Sequence, residues 1–522
     1  MVSRAPLLLL LAAPLGAQAP LRYTVDLTAP GGHAVAVTLQ VDSLAPGDSI
    51  LQFAATAPGT YQTMNIGRFV RDLAARDAEG RPIATRQASV NQWRLADPAR
   101  VRTVTWRVLD TRHAGVSEFP VYPMAGSAVE REHALLNFHA LVGFPAARQA
   151  SPIALRLVRP AGWEVATALP ERDGVFHADS YDHLVDSPVL TGRLTRATLC
   201  VTGVPVGIAA YSPRGQITAA QLQGSMRGML EAAGRFLGTL PVDRYVFLFD
   251  FSDAGEGAAR GAWEHSYSSA YTLDEAPFSE AVGAGITSIA AHEFFHVVTP
   301  LNIHSEVVER FNYERPVPSR HLWLYEGTTE WAAQKMQQEG GLVPLERYLA
   351  TVAQKAQIDR RRYDPKYSLT DLARTSFTEE GARQYGNIYM RGALVAGLLD
   401  IHLLRRSGGA RGLRALVLDL AREYGKARPF PEDSLIDLVA ARTGPDVRQF
   451  FARYVEGAER LPLREYYGWL GIDVVEDPNG MVVRLAARPD ATPGQMRLRE
   501  AWLRGGEPPA VTAPAAAGCS ER

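Results

Sequence analysis

Residues 292–302 read HEFFHVVTPLN, and the spacing inside this stretch decides what the rest of the chain must build around it. On an α-helix, residues i and i+4 share a face. His292 and His296 can therefore offer two imidazoles to one metal ion, with Glu293 beside them. Apolar residues at 282, 286, 289, 290 and 297 give the surrounding sequence a helical period, and Pro300 ends it. Two surface histidines on an ordinary helix would show the same spacing. A third ligand separates the readings, because a catalytic zinc takes three protein ligands and keeps one position for water. WLYEGTTE, residues 323–330, supplies Glu326 thirty positions after His296, among apolar Leu322, Trp323 and Leu324. Ser319 is the expected N-cap of its helix and Gly340-Gly341 the expected stop. One turn beyond lies Glu330. It either accepts the second N–H of His292, the usual partner of a ligating histidine, or is a solvated helix glutamate.

The whole chain sets the bounds. Its 522 residues imply two or three domains. A net charge of −1 provides no field to attract nucleic acid or an acidic membrane, so nucleic acid is not an expected partner. Cys200 and Cys519 are far apart, one of them in a Pro/Ala-rich tail, and are not expected to form a disulfide framework or a Cys-based zinc site. The start, MVSRAPLLLLLAAPLGAQA, has Arg4, an apolar run to Leu15 and small residues at Ala17 and Ala19. It reads as a secretory signal peptide, too short for a comfortable membrane span, with an uncleaved anchor as the alternative. The mature protein is expected to be periplasmic or secreted, without integral membrane association.

The texture changes near residue 195. Before it, YTVDLTAP, HAVAVTLQVDSL, RTVTWRVLD and PIALRLVRP alternate at the period of strands bounded by Pro, Gly and Asp. After it, ITAAQLQGSMRGMLEAAGRFLGTL and later stretches have helical period, interrupted by the buried-strand run YVFLFDF at 245–251. The expected class is α+β and multidomain. The segments are a signal peptide (1–19), a β-sandwich (20–195), a mainly helical catalytic domain (196–465), a short C-terminal segment (466–504) and a disordered tail (505–522).

HEFFH followed by LWLYEG resembles the glycyl aminopeptidase family of gluzincin zinc metallopeptidases, whose catalytic domain is thermolysin-like. GAWEHSYSS (261–269) is similar to that family's Gly-Gly-Leu-Glu-His-x-x-Ser segment, and YMRGALVAGLLD (389–400) to its Tyr-x-Lys-Gly-Ala-Leu run. GPDVRQFFARYVEGAERLP (444–462) and APGTYQTMNIGRFVRDLAARDAEG, in the β region, extend the likeness over about residues 22–475. There are departures. Val297 to Leu301 stand before Asn302 where the family continues with Trp-Asn and a basic pair. Trp263 replaces the leucine before Glu-His. The residues after Gly471 are too few for the PDZ domain that many members carry.

The resemblance implies an aminopeptidase removing small N-terminal residues such as Gly or Ala from peptides, with one zinc per chain held by His292, His296 and Glu326. Glu293 is the expected general base. The family puts a tyrosine at Tyr389 as donor to the developing oxyanion; by residue type alone it would be a core aromatic. Recognition of a free α-amine calls for a buried carboxylate. Glu264 is the candidate, on an expected edge strand over 261–269. Gly261, Ala262 and Trp263 would pair with the substrate backbone, and the glycine-rich loop before them, DAGEGAARG, would leave room for close approach. His265, His304 and His321 read as structural. Two alternatives stand beside this reading: a zinc endopeptidase of the same architecture, which needs no amine anchor, and a non-enzymatic peptide-binding protein that retains a zinc site.

Overall fold

A computed structural model describes residues 19–29, 31–115, 121–253, 261–507 and 519. The signal-peptide reading, the glycine-rich loop at 254–260 and most of the tail lie outside the described residues.

The four alternating stretches of the first region form adjacent strands of one eight-stranded sheet. Leu21–Asp26 lies between Ile153–Val158, to which it is parallel, and Ala34–Gln40, which in turn pairs with Thr103–Leu109. Every second side chain of Leu21–Asp26 is buried, which is the pleat's period of two. Two four-stranded sheets contribute to the same core. Phe53, next to the strand Ile50–Gln52, meets both Trp93 and Trp106 edge-on. The indole N–H of Trp106 is satisfied by the Leu141 carbonyl at 3.0 Å. This is the expected β-sandwich.

The change of texture falls between sheets. Val189–Gly192 closes the β region, and Thr195–Val201 opens a five-stranded sheet in the order Thr195–Val201, Val204–Tyr211, Tyr245–Ser252, Ser268–Asp274, Gly261–His265. The three inner strands run parallel, which requires a crossover. Helix α1 (Ala219–Leu237), capped by Thr218 with Gln221 reaching back, supplies the first. YVFLFDF is the central strand and carries the apolar run of a strand covered on both faces. GAWEHSYSS forms a hairpin, not one strand: Gly261–His265 is the edge, and the chain turns at Ser266-Tyr267 so that Ser268 starts the next strand.

The later helices that build the site are α2 (Glu280–Phe295), α3 (Thr329–Glu339), α4 (Leu345–Arg362) and α5 (Asn387–Arg406). The segment after residue 471 folds as a hairpin, Ile472–Glu476 with Val482–Ala487, and a helix, Pro493–Leu503. Its Trp502 is buried, with the Lys335 ammonium 4.8 Å from the ring centroid. The expectation for the cysteines is corrected: Cys200 and Cys519 form a disulfide. Sequence distance says nothing about whether a tail returns to the body.

A buried ion cluster joins the β region to the catalytic sheet. Asp250, on the central strand, receives the Arg112 guanidinium at 2.9 Å, and His133 Nε2 lies 2.9 Å from its other oxygen. Burial pushes the Asp250 carboxyl up. Arg112 and His133 more than offset this and hold it down at about 2.

Candidate active site

Helix α2 starts at Ser279, whose hydroxyl accepts the Val282 N–H, and stops at His296. His292 and His296 both point their Nε2 atoms at Glu326 Oε2, at 3.4 and 3.6 Å. Their Nδ1 atoms face away. That of His292 donates to Glu330 Oε2 at 2.9 Å, and that of His296 to the Thr299 carbonyl at 2.9 Å. Each outer hydrogen bond fixes its ring in the tautomer that leaves Nε2 free for a metal. Glu330 is itself held by the Lys355 ammonium at 2.6 Å.

Glu326 sits in a π-helical turn, Trp323–Thr328, that runs into α3. Ser319 does not cap it. Its hydroxyl donates instead to Glu432, and the helical turn begins a few residues later. A pair of glycines sets the distance from this turn to α5. A Cβ on Gly327 would stand 2.7 Å from the Gly392 Cα, and one on Gly392 2.8 Å from the Gly327 Cα. The two backbones touch, which brings Tyr389, one turn before Gly392, beside the histidines. Its ring centroid is 5.5 Å from that of His292. Burial, and then the Glu326 charge, push its phenol well above the usual range, so it stays protonated and able to donate at neutral pH.

The sheet supplies the opposite wall. Glu264 is buried at the edge strand, and donor atoms of Glu264, Glu293 and His296 lie within 4.8 Å of one another. Burial and the charges of Glu326 and Glu293 push the Glu264 carboxyl well up. Burial also raises Glu293, to about 7. Trp263 turns the other way. Its indole donates to the Pro58 carbonyl at 3.0 Å and stands edge-on to His139, so only its backbone faces the cleft edge, with those of Gly261 and Ala262. His265 approaches Asp186, His304 pairs with Glu309, and His321 bonds the Glu432 carbonyl. All three have partners away from the Nε2 pair.

Four participants carried no local signal. Tyr61 reaches in from the β region and packs on Tyr385 at 5.2 Å between ring centroids. Tyr385 also stands edge-on to Tyr389, at 5.9 Å between ring centroids. Gly59, at φ +73°, lies so close to Glu264 that a Cβ would stand 2.4 Å from the carboxylate. Lys355 is set on α4 one helix away. Tyr61 and Gly59 belong to the APGTYQ stretch, where only the resemblance pointed.

The donor set suits zinc. Atoms bound at about 2.0–2.1 Å around a tetrahedral ion stand about 3.3–3.4 Å apart, and the separations of 3.4 and 3.6 Å between the imidazoles and Glu326 match that edge. The charge agrees. Four carboxylates (Glu264, Glu293, Glu326 and Glu330) bear on one another, and among the described residues the lysine paired with them is Lys355. Burial pulls His292 down, but Glu326 and Glu330 override it and draw the ring towards its cationic form, which is how a site short of positive charge behaves.

Comparison with known proteins agrees with this reading. None of the curated proteins compared matches the chain. Among solved structures, an aminopeptidase N family protein from Idiomarina loihiensis superposes with a TM-score of 0.77 at 22% identity, over 88% of this chain and 80% of that one. A two-domain M1 zinc metallopeptidase bound to L-tryptophan gives 0.53 at 16%, over 86% and 96%. Yeast leukotriene A4 hydrolase in complex with bestatin gives 0.52 at 10%, over 85% and 68%. At these identities the likeness is one of fold. The family models are more specific. The peptidase M61 N-terminal domain matches residues 22–193, and the M61 glycyl aminopeptidase matches residues 286–395, the span that holds both histidines, Glu293, Glu326, Glu330 and Tyr389. With the β region and the catalytic helices each matched in order, the chain belongs to the M61 glycyl aminopeptidase family of peptidases.

Proposed function

We propose that the protein is an exported zinc aminopeptidase that removes one N-terminal residue at a time. One observation carries the exopeptidase part: the buried Glu264 carboxylate, pressed from behind by the Gly59 backbone, lies within 4.8 Å of Glu293 and His296 donor atoms. His292, His296 and Glu326 would hold one zinc, and the ion when bound supplies an acidified water and charge for the developing oxyanion. Glu293, raised to about 7 by burial, takes a proton at neutral pH and returns it to the leaving amine. Tyr389 donates to the oxyanion. Glu264 meets the substrate ammonium, and the edge strand pairs with the backbone of the residues behind it. A divalent ion and one substrate ammonium are together the charge that brings four carboxylates and Lys355 to neutrality. The Cys200–Cys519 disulfide supports export, since such bonds persist in oxidising compartments. The family reading gives Gly and Ala as accepted first residues.

A second reading has its own observation. A cavity beyond Glu264 could let a chain run on, as an endopeptidase requires. One peptide, free and N-acetylated, decides between them. The aminopeptidase cleaves the free form at least about 100-fold faster, and Glu264→Gln lowers kcat/KM for it by about 10–100-fold, the size of a charge-assisted hydrogen bond. Equal cleavage of both peptides by wild type makes the protein an endopeptidase.

A further inference from the structure

Next to Glu264 lies a cavity of about 410 Å³ that does not include the metal-ligand residues. It is lined by the β region (Ala57 to Tyr61 and 179–186), by the hairpin, and by the chain between His296 and Glu326. From the hairpin it takes residues 263–267, the anchor and the turn after it, and not Gly261 or Ala262. A peptide paired with the edge strand and anchored by its amine at Glu264 runs back along Gly261 and Ala262. The far side of the anchor is left to its first residue alone. Amine and side chain leave the same Cα, so that side chain is the group within reach.

Much of the wall is apolar. Tyr313 is buried there, half-buried Leu301, Val308, Phe311 and Pro318 add rings and aliphatic groups, and Val317 stands at the exposed rim. The polar groups of the wall are paired in part: His304 with Glu309 at 2.7 Å, Asp186 with the Ser266 N–H at 2.9 Å, and Asp182 with the Gln149 amide at 3.0 Å, whereas His183 Nε2, His265 Nε2 and His304 Nδ1 have no hydrogen-bond partner among the described residues, and the carboxylates of Asp179 and Glu309 stand at the exposed rim. The Lys426 ammonium lies 4.5 Å from the centroid of Tyr267. Against the rings and aliphatic groups of this wall a charged side chain would lose water without gaining a partner, whereas an apolar one exchanges water for packing. The size agrees, since a dry cavity of about 150 Å³ accommodates a benzene ring. Glycine and alanine would leave this space empty.

We propose that this cavity is the binding subsite for the substrate's first side chain. It makes large apolar N-terminal residues, of the size of leucine, methionine or phenylalanine, better substrates than glycine or alanine. The inference rests on the aminopeptidase reading and departs from its small-residue preference.

The test is a panel of glycyl, alanyl, leucyl, phenylalanyl and arginyl amides of one reporter, with an N-acetyl-leucyl control, assayed with the zinc-loaded full chain. The expected result is a kcat/KM for leucyl or phenylalanyl at least about tenfold above glycyl, the discrimination one or two buried methylenes give. Val308→Trp, which fills the cavity, should lower the leucyl-to-alanyl ratio by about tenfold or more, and Val308→Ala should not. Should Val308→Trp fail to fold, the wild-type panel decides by itself. Glycyl or arginyl as the best substrate overturns the subsite and leaves the aminopeptidase standing. Hydrolysis of the acetylated control at the same rate as the free leucyl substrate overturns the aminopeptidase instead.

Discussion

Two buried charge clusters in this molecule obey opposite rules. At the domain junction, Asp250 has its cation at hand: Arg112 and His133 reach it from the β region, and the carboxyl is held at about 2 against the pull of burial. In the cleft, Glu264 and Glu293 are also buried, without such partners. Burial and the neighbouring carboxylates drive Glu264 well up and Glu293 to about 7. The first cluster is complete within the chain and stabilises the fold. On the reading proposed above, the second is completed by a cation and a substrate ammonium, and binding and proton transfer use that incompleteness. A carboxylate does both jobs, and the difference lies in who supplies the positive charge.

The comparison breaks most sharply where activity and stability part company. Glu326→Ala should remove both metal and turnover. Glu293→Gln should lower kcat by about 10²–10⁴-fold, the range of a positioned general base, with metal still bound at one ion per chain. Glu293→Gln should not lower the thermal midpoint of the metal-free protein, because it relieves repulsion among like charges. Metal analysis beside melting curves checks this. Equal metal loss in the two variants would mean that base and ligand are interchanged, and a large drop in the metal-free midpoint would put the cleft carboxylates in the same class as Asp250.

At the junction the order reverses. Asp250→Ala leaves Arg112 buried without its partner and should destabilise by about 3–5 kcal/mol, while the folded fraction keeps its zinc. The pH dependence gives the sign. Asp250 is held at about 2 when folded, below its ordinary 3.8, so its stabilisation is full above about pH 4 and is lost as pH falls from 4 towards 2. This part amounts to about 2 kcal/mol. Denaturant midpoints of wild type and Asp250→Asn should therefore converge over that window. A constant gap down to pH 2 would mean that the stabilising interaction is not ionic.

How much of this the sequence carries depends on the range of each signal. The i, i+4 histidines and Glu326 among apolar neighbours are local patterns, and the helices they require form there. The strands of the large sheet are legible because one buried face imposes a period of two. Tyr61 and Gly59 are not legible from pattern: they reach Glu264 across some two hundred residues, through a domain contact that leaves no period. The hairpin turn at Ser266-Tyr267 lacks the Gly or Asn that would mark it. The expected cap at Ser319 fails because its hydroxyl is taken by Glu432, more than a hundred residues on. The Cys200–Cys519 bond is invisible for the same reason: closure of a chain is a tertiary event.

The smallest expected effect belongs to Glu330, which has a foot in both clusters' logic. It is buried against Lys355, like Asp250 against Arg112, yet its other oxygen holds His292. Burial pushes it up, but the hydrogen bonds from His292 and Lys355 keep it at about 2, so it is an anion at any working pH. Glu330→Gln keeps an oxygen that can accept the His292 N–H and removes the charge that makes the ring a better donor to a metal. Zinc should bind about 10–100-fold more weakly, read by competition with a chelator, while kcat at saturating zinc changes little because no group that touches substrate has moved. Lys355→Met should leave zinc affinity closer to wild type, since it unpairs the carboxylate but spares its bond to His292. Should Glu330→Gln bind zinc as tightly as wild type while Lys355→Met destabilises the fold, Glu330 belongs with Asp250 as a structural ion pair, and His292 needs no anion behind it.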